Sequence, residues 1–295
     1  MNNLKASTYP GTSVNPSEGR VLLFPTDFSE TAHRAFEYTL QLAEVLDARI
    51  ELLHVYFETP ILADKIPAGF IEALREEKVE KAQSFFEAYQ AEAKQAIGKN
   101  VVVNTHIAGG YAVDEIVRLA SEINPTMIVM GTHGTASATS KVFGSVTASV
   151  IEKCSVPVLA VPKEAEYRPW KHLMYATSFE ERDFEIIDRL LDLASATDAR
   201  LYCTHVRTSD AYWSKIELGV FQNLYQMETD NRQLEFYLIQ DTDVISGLQH
   251  FVNQHEIDVM SMLTHRRDLI EGLYGDSITR EMALQTDSPL LVFQA

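Results

Sequence analysis

The chain repeats itself, and the repeat limits the possible folds more than any other feature of the sequence. Thr177 lies under Thr26 when the second half is aligned with the first at a shift of 151 residues. Towards the C-terminus the shift becomes 132, so that Thr264 lies under Thr132. A repeat of this length indicates two copies of one domain rather than a solenoid of short units.

The 295 residues suit two domains of ordinary size. We therefore predict a flexible N-terminal arm over residues 1–18, a first domain over 19–162, a connector over 163–170 and a second domain over 171–295. The shorter second copy has lost residues around the position of the long second helix of the first copy.

Within the first copy, short apolar runs alternate with helical patterns. The predicted strands are Val21–Phe24, Arg49–Tyr56, Asn100–Ile107, Met127–Met130 and Val156–Val161. The predicted helices are Thr31–Leu46, with Ser29 as a plausible N-cap, then Ile71–Ile97, Val113–Glu122 and one that starts at Gly144-Ser145. Regular alternation of this kind predicts a parallel sheet with helices on both faces. Ligands of such sheets lie beyond the carboxyl ends of the strands.

Three glycines follow the fourth strand with the spacing Gly131-x2-Gly134-x9-Gly144. Glycine lets the backbone approach a ligand closely, and a helix N-terminus at Gly144-Ser145 offers unpaired N–H donors to a phosphate. Neither the P-loop nor the Gly-x-Gly-x-x-Gly pattern is present. An ordinary glycine-rich connection without a ligand is the alternative.

This glycine spacing resembles the nucleotide-binding motif of the universal stress protein family. The segment Pro25-Thr26-Asp27-Phe28-Ser29, at the end of the first strand, resembles a second hallmark of that family. The resemblance covers about residues 20–162. It implies two tandem doubly wound α/β domains of the adenine-nucleotide α-hydrolase-like type, each a five-stranded parallel sheet in the order 3-2-1-4-5.

The resemblance also implies a site for ATP, with Mg²⁺ on its phosphates. Asp27 would contact the nucleoside, although an Asx turn or helix cap would suit it equally. The backbone of Val55 would meet the adenine edge, with a plain core valine as the alternative. The full set of predicted nucleotide-binding residues is Pro25, Thr26, Asp27, Val55, Met130, Gly131, His133, Gly134, Gly144, Ser145, Val146 and Thr147.

The second copy departs from this motif at several positions. Leu263, Arg266 and Asp276 stand where the first copy has its three glycines, and Ser178 replaces Asp27. Side chains at the loop block close backbone approach, and a carboxylate at the helix start repels phosphate. We predict that the second copy holds no nucleotide in the family manner.

Two pairs of histidines recur at equivalent positions, His54 with His205 and His133 with His265. They persist in the copy that lost the nucleotide motif, which favours a structural hydrogen-bonding role over catalysis. We predict no catalytic residues and no protein metal ligands, because neither a Ser–His–Asp arrangement nor a pattern such as His-Glu-x-x-His is visible.

The net charge of −17 argues against a nucleic-acid partner. No signal peptide or membrane-length apolar run is visible, and the two cysteines, Cys154 and Cys203, suggest a reducing compartment. Both cysteines are expected to be buried small hydrophobic residues. The expected location is the cytoplasm.

The favoured hypothesis is an ATP-binding stress-response regulator in which the second copy is a pseudo-symmetric packing partner. Apolar strands at Val156–Val161 and Pro289–Phe293 are expected to pair, within one chain or in a homodimer. The alternative is a slow ATP hydrolase or self-phosphorylating enzyme of the adenine-nucleotide α-hydrolase-like group. A stress protein that binds no nucleotide is a third reading.

Overall fold

The computed structural model describes residues 19–57, 68–96, 101–132, 144–208, 216, 218–220, 222–223, 233–265 and 288–295. The strands are β1 (Arg20–Thr26), β2 (Ala48–Tyr56), β3 (Val103–Gly109), β4 (Met127–Gly131), β5 (Val158–Val161), β6 (His172–Ala176), β7 (Arg200–Arg207), β8 (Leu234–Gln240), β9 (Val259–Thr264) and β10 (Leu290–Gln294). The helices are α1 (Glu30–Leu46), α2 (Ala68–Ala96), α3 (Ala112–Ile123), α4 (Ser145–Lys153), α5 (Asp183–Thr197) and α6 (Val244–Gln254).

These strands form one ten-stranded sheet in the order β3-β2-β1-β4-β5-β10-β9-β6-β7-β8. Within each half every neighbouring pair is parallel. Each half therefore has the order 3-2-1-4-5, and the predicted fold class is confirmed. A parallel order of this kind places the carboxyl ends of β1 and β4 side by side.

The two half-sheets meet at β5 and β10, which pair in the antiparallel direction. The paired residues are Leu290 with Ala160, Leu291 with Leu159 and Val292 with Val158. All six side chains are buried. The two apolar edge strands thus cover each other within one chain, which removes a pair of edges that would otherwise be templates for aggregation.

Helices cover both faces of the sheet. One continuous apolar cluster packs α1, α2 and α5 against the sheet, and a second cluster packs α3, α4 and α6 against the opposite face. Both clusters contain residues from both halves, so the core continues across the junction. Cys154 and Cys203 are buried in these clusters as free cysteines, as expected.

The connector before β6 packs closely against the first half. Trp170 is 1% exposed, and its Nε1–H donates to the Tyr38 hydroxyl at 2.8 Å. Arg20 of β1 forms an ion pair with Asp192 of α5 at 2.9 Å. The end of the connector is thus part of the core, while the exact domain boundaries stay predictions.

The element ends follow from local chemistry. Ser29 caps α1 as expected, since its hydroxyl oxygen accepts a hydrogen bond from Ala32 N. Strand β3 is displaced towards the C-terminus relative to its prediction and ends at Gly109. Gly109 pairs with Tyr56, whose ring would lie 2.8 Å from a Cβ at that position. Glycine at this position leaves room for the tyrosine ring, and the glycine belongs to the strand instead of breaking it.

No helix among the described residues combines the length and the apolar character that a membrane crossing requires.

The antiparallel junction can be tested by a double-mutant cycle. We expect Leu159→Ala and Leu291→Ala each to lower the free energy of unfolding by about 2–5 kcal/mol, because each creates a cavity in a buried pair. Their combined effect should deviate from additivity by about 0.5–3 kcal/mol, measured by denaturant unfolding.

The control pair is Leu40→Ala with Leu248→Ala. These leucines lie in clusters on opposite faces of the sheet, so their effects should add. Strict additivity for Leu159 and Leu291 would contradict the observed pairing.

Candidate functional site

The site predicted from the sequence lies where β1 and β4 end. Leu22 pairs with Met127 and Leu23 with Ile128, and continuing this register brings Thr26 level with Gly131. Helix α1 passes close to the end of β4. A Cβ placed on Gly131 would lie 3.2 Å from Thr31 Cγ2 and 3.4 Å from the Thr31 carbonyl oxygen. Glycine at this position therefore allows the start of α1 to approach β4.

The turn after β1 is held by hydrogen bonds from side chains. The Thr26 hydroxyl oxygen accepts from Phe28 N at 3.0 Å, and Phe28 adopts a positive φ of 59°. One carboxylate oxygen of Asp27 accepts from Ser29 N at 3.0 Å, which is an Asx turn. The Asp27 side chain is nevertheless exposed at the carboxyl end of the strand. The turn thus accounts for part of the motif and presents the carboxylate to the crevice edge.

Helix α4 starts at this same edge of the sheet. Gly144 is its N-cap and has no side chain with which to cap the helix, and the Gly144 N–H donates to the Thr132 carbonyl. The Thr147 hydroxyl donates to the Gly131 carbonyl at 3.0 Å. These two bonds tie the first turn of α4 to the end of β4. The helix therefore directs the positive end of its dipole towards the crevice.

The remaining predicted residues fall into two groups. Pro25 and Thr26 end β1, and Met130, which is 6% exposed, precedes Gly131 at the end of β4. Ser145 and Val146 form the exposed first turn of α4. His133 and Gly134, with the hydroxyl-rich loop that follows them, lie outside the described residues.

Two exposed aromatic residues next to Val55 were not predicted from the sequence. Val55 lies in β2 beside Ala108 of β3 and packs against the cluster that contains α3 and α4. Phe57 and Tyr111 follow the ends of these two strands, with rings 5.7 Å apart in an edge-to-face arrangement. They are 57% and 58% exposed. Phe57 follows β2 directly and Tyr111 follows β3 after Gly110, a spacing that does not by itself place the two rings together.

His54 stabilises the turn after β1. Its Nδ1 lies 2.9 Å from the Thr26 carbonyl oxygen, so Nδ1–H is the donor, and its ring lies 4.4 Å from that of Phe28. Burial lowers the pKa of His54, although the Thr26 carbonyl acts in the opposite direction. The imidazole is thus used for a structural hydrogen bond.

The second copy contains the same turn. Its Thr177 hydroxyl oxygen accepts from Phe179 N at 2.9 Å, and Phe179 has a φ of 62°. His205 Nδ1 lies 2.9 Å from the Thr177 carbonyl oxygen, and its ring lies 4.3 Å from that of Phe179. The His54 and His205 geometries therefore match the structural role that their recurrence favours.

A buried carboxylate distinguishes the second copy from the first. Asp183, at the first position of α5, is 1% exposed. It accepts hydrogen bonds from the Tyr175 hydroxyl at 2.7 Å, from Glu180 N at 3.0 Å and from the Thr177 hydroxyl. Burial raises the pKa of Tyr175, and Asp183 raises it further. The alignment of the two copies did not reveal this network, because Asp183 aligns with Ala32 and not with Asp27.

Side chains also cross the second crevice. His265 Nε2, just after β9, lies 3.1 Å from a carboxylate oxygen of Glu180 in the turn after β6. The Arg182 guanidinium donates to the Gln294 carbonyl of β10 at 3.1 Å. The first contact joins the ends of β6 and β9, whose counterparts β1 and β4 border the predicted site, and the second ties the start of α5 to β10. Arg266 and Asp276, predicted to block a phosphate, lie outside the described residues.

Comparisons with known proteins agree with this fold. A model of the universal stress protein family matches residues 19–162. The chain is 30% identical over 156 residues to universal stress protein MJ0577 of Methanocaldococcus jannaschii, covering 48% of this chain and 94% of that protein. It is 32% identical over 158 residues to universal stress protein Sll1654 of Synechocystis sp., covering 52% and 95%.

One solved structure spans both halves. A universal stress protein from Archaeoglobus fulgidus covers 94% of this chain and 99% of its own, with a TM-score of 0.75 at 19% sequence identity. At that identity the likeness establishes the shared fold alone.

The Asp183 network predicts a difference between equivalent regions. We expect Asp183→Ala to lower the free energy of unfolding by about 2–4 kcal/mol, because it leaves buried donors without an acceptor. Asp27→Ala, at an exposed position, should cost clearly less. Denaturant unfolding of both variants provides the comparison. Equal small losses would contradict the structural role of Asp183.

Proposed function

This chain belongs to the universal stress protein family, and we propose that it is a regulatory protein that binds ATP in its first copy only. The observation that carries the proposal is the contrast between the two crevices. Helix α4 begins next to Gly131 in the first copy, with a glycine as its N-cap, whereas side chains of the protein bridge described strand ends of the second.

The start of α4 is the proposed phosphate seat. The first N–H groups of a helix lack partners within the helix, and the dipole adds positive charge at that end. In this proposal the phosphates lie against Gly144, Ser145, Val146 and Thr147, while His133 and Gly134 contribute from the loop. Mg²⁺ binds mainly to the phosphate oxygens, since this ion commonly keeps few protein ligands.

The adenine base is proposed to lie over the ends of β2 and β3. The Val55 backbone would meet the edge of the base, and Asp27 would contact the nucleoside. Because side chains alternate along a strand, Phe57 lies on the same face as Val55. The exposed rings of Phe57 and Tyr111 then form an aromatic wall of the kind on which a base can stack.

The second copy is proposed to act as a permanent packing partner. The antiparallel β5–β10 pair lets the second half cover the apolar edge of the first within the same chain. A homodimer of the chain, if formed, would therefore use a surface other than this edge. Nucleotide occupancy of the first copy would act on conformation or on such an assembly.

The phosphate seat is tested by the substitution Gly144→Asp, with Gly144→Asn as its matched control. Both residues are good N-caps and nearly equal in shape, so α4 should be retained in each variant. Only aspartate places a negative charge beside the phosphates. We expect calorimetric titration of MgATP to give one site per wild-type chain and an affinity at least about tenfold weaker for Asp than for Asn.

Two results would contradict this function. No MgATP binding by the wild type would reject it outright, and equal affinities for the Asp and Asn variants would place the phosphates elsewhere. Two sites per chain would show that the second copy also binds. Release of ADP in the same samples, at a fast and saturable rate, would favour the ATP hydrolase alternative.

The aromatic wall is tested by Tyr111→Ala, with Tyr111→Phe as its control. Loss of a stacking ring should weaken MgATP binding by about fivefold or more, whereas phenylalanine should preserve it. Inorganic tripolyphosphate, which has no base, should bind all three proteins equally in the same titration. An unchanged ATP affinity in the alanine variant would remove Tyr111 from the base site.

A further inference from the structure

Three side chains with metal-ligating groups converge between helices α1 and α2. His33 and Glu37 lie one turn apart on α1, and Glu92 lies on α2. One ligand atom from each residue lies within 4.8 Å of the other two. This cluster lies away from α4 and the proposed phosphate seat, on the face of the sheet that α1 and α2 cover.

The distances within the cluster are too long for hydrogen bonds. His33 Nδ1 lies 3.7 Å from Glu92 Oε2, and His33 Nε2 lies 3.9 Å from Glu37 Oε1. Hydrogen bonds of this type need about 2.7–3.2 Å. Two ligands bound to one metal at about 2.0–2.2 Å, in contrast, can lie up to about 4 Å apart. The two carboxylates face different ring nitrogens of His33, so only one of these two distances can join ligands of the same ion, and either one is compatible with that role.

The charges of the cluster favour a cation. Within the described part of the chain, neither Glu37 nor Glu92 pairs with a lysine or an arginine. Two neighbouring carboxylates thus have only one imidazole between them. A divalent ion would neutralise both.

Tyr89, a buried residue of α2, lies next to the cluster. Among the described residues the buried Tyr89 hydroxyl has no hydrogen-bond partner, and its ring lies edge-on to that of His33 at 5.5 Å. The Thr26 hydroxyl is nearby but does not meet hydrogen-bond geometry. The tyrosine that packs against His33 thus carries a polar group that the described residues leave unsatisfied.

We propose that His33, Glu37 and Glu92 bind a divalent transition-metal ion that joins α1 to α2. The imidazole bonds the ion through one nitrogen, so the carboxylate that faces the other nitrogen rotates towards the ion on binding. Three protein ligands and a water complete a four-coordinate site of the kind that zinc adopts. An imidazole ligand favours Zn²⁺ or Co²⁺ over Mg²⁺, which separates this site from an ion carried by nucleotide phosphates.

The test uses full-length protein without an affinity tag and without nucleotide. Co²⁺ serves as the probe, because its visible absorption reports coordination directly, and calorimetry with Zn²⁺ gives the stoichiometry. We expect one ion per wild-type chain. His33→Ala and Glu92→Gln should each weaken binding at least about tenfold, since even the loss of an outer-shell partner costs about 10–100-fold in metal affinity.

His250→Ala is the matched control. His250 is an exposed histidine with a carboxylate partner, Asp241, at 2.9 Å, and no second carboxylate is grouped with it among the described residues. Its loss should leave Co²⁺ binding unchanged. Glu37→Gln, at an exposed position, provides a further ligand variant if Glu92→Gln fails to fold. The proposal is overturned if the wild type binds no ion, or if the ligand variants bind as tightly as the control.

Discussion

The antiparallel pair of β5 and β10 is the contact on which the shape of the molecule depends. Each half is a parallel sheet that leaves one apolar strand at its edge, and neither edge strand could stay uncovered in water. Joining the two edges buries Leu159 against Leu291 and makes one core on each face of the sheet. The second half is therefore part of the structural support of the first, whether or not it binds a ligand.

The two copies share one turn and differ in the carboxylate beside it. Both copies keep the threonine turn, the positive φ at the following phenylalanine and the histidine bond to the threonine carbonyl. They differ in where the nearby carboxylate lies. Asp27 is exposed at the edge of the first crevice, whereas Asp183 is buried among donors of its own chain. The hydrogen bonds to Asp183 make this turn rigid, and they occupy donors that a ligand could otherwise use.

The sequence predicted the architecture well because the information was local or repeated. Apolar runs located the strands, Ser29 and Gly144 located helix starts, and the duplication predicted two copies of one domain, the second shorter than the first. The strand order came from the family resemblance rather than from the pattern itself. Asp183, the Phe57–Tyr111 pair and the approach of Glu92 to His33 could not be predicted, because each depends on contacts between elements that no sequence spacing reveals.

The matching turns of the two copies limit what the segment Pro25–Ser29 indicates when it occurs in another protein. Thr26 and Phe28 form the same turn as Thr177 and Phe179 in a copy whose crevice is bridged by its own side chains. Their presence alone therefore indicates the shared turn and does not distinguish the two copies. A search profile that weights threonine and phenylalanine would score both copies alike. Diagnostic weight belongs to the aspartate and to the glycines of the loop, where the two copies diverge.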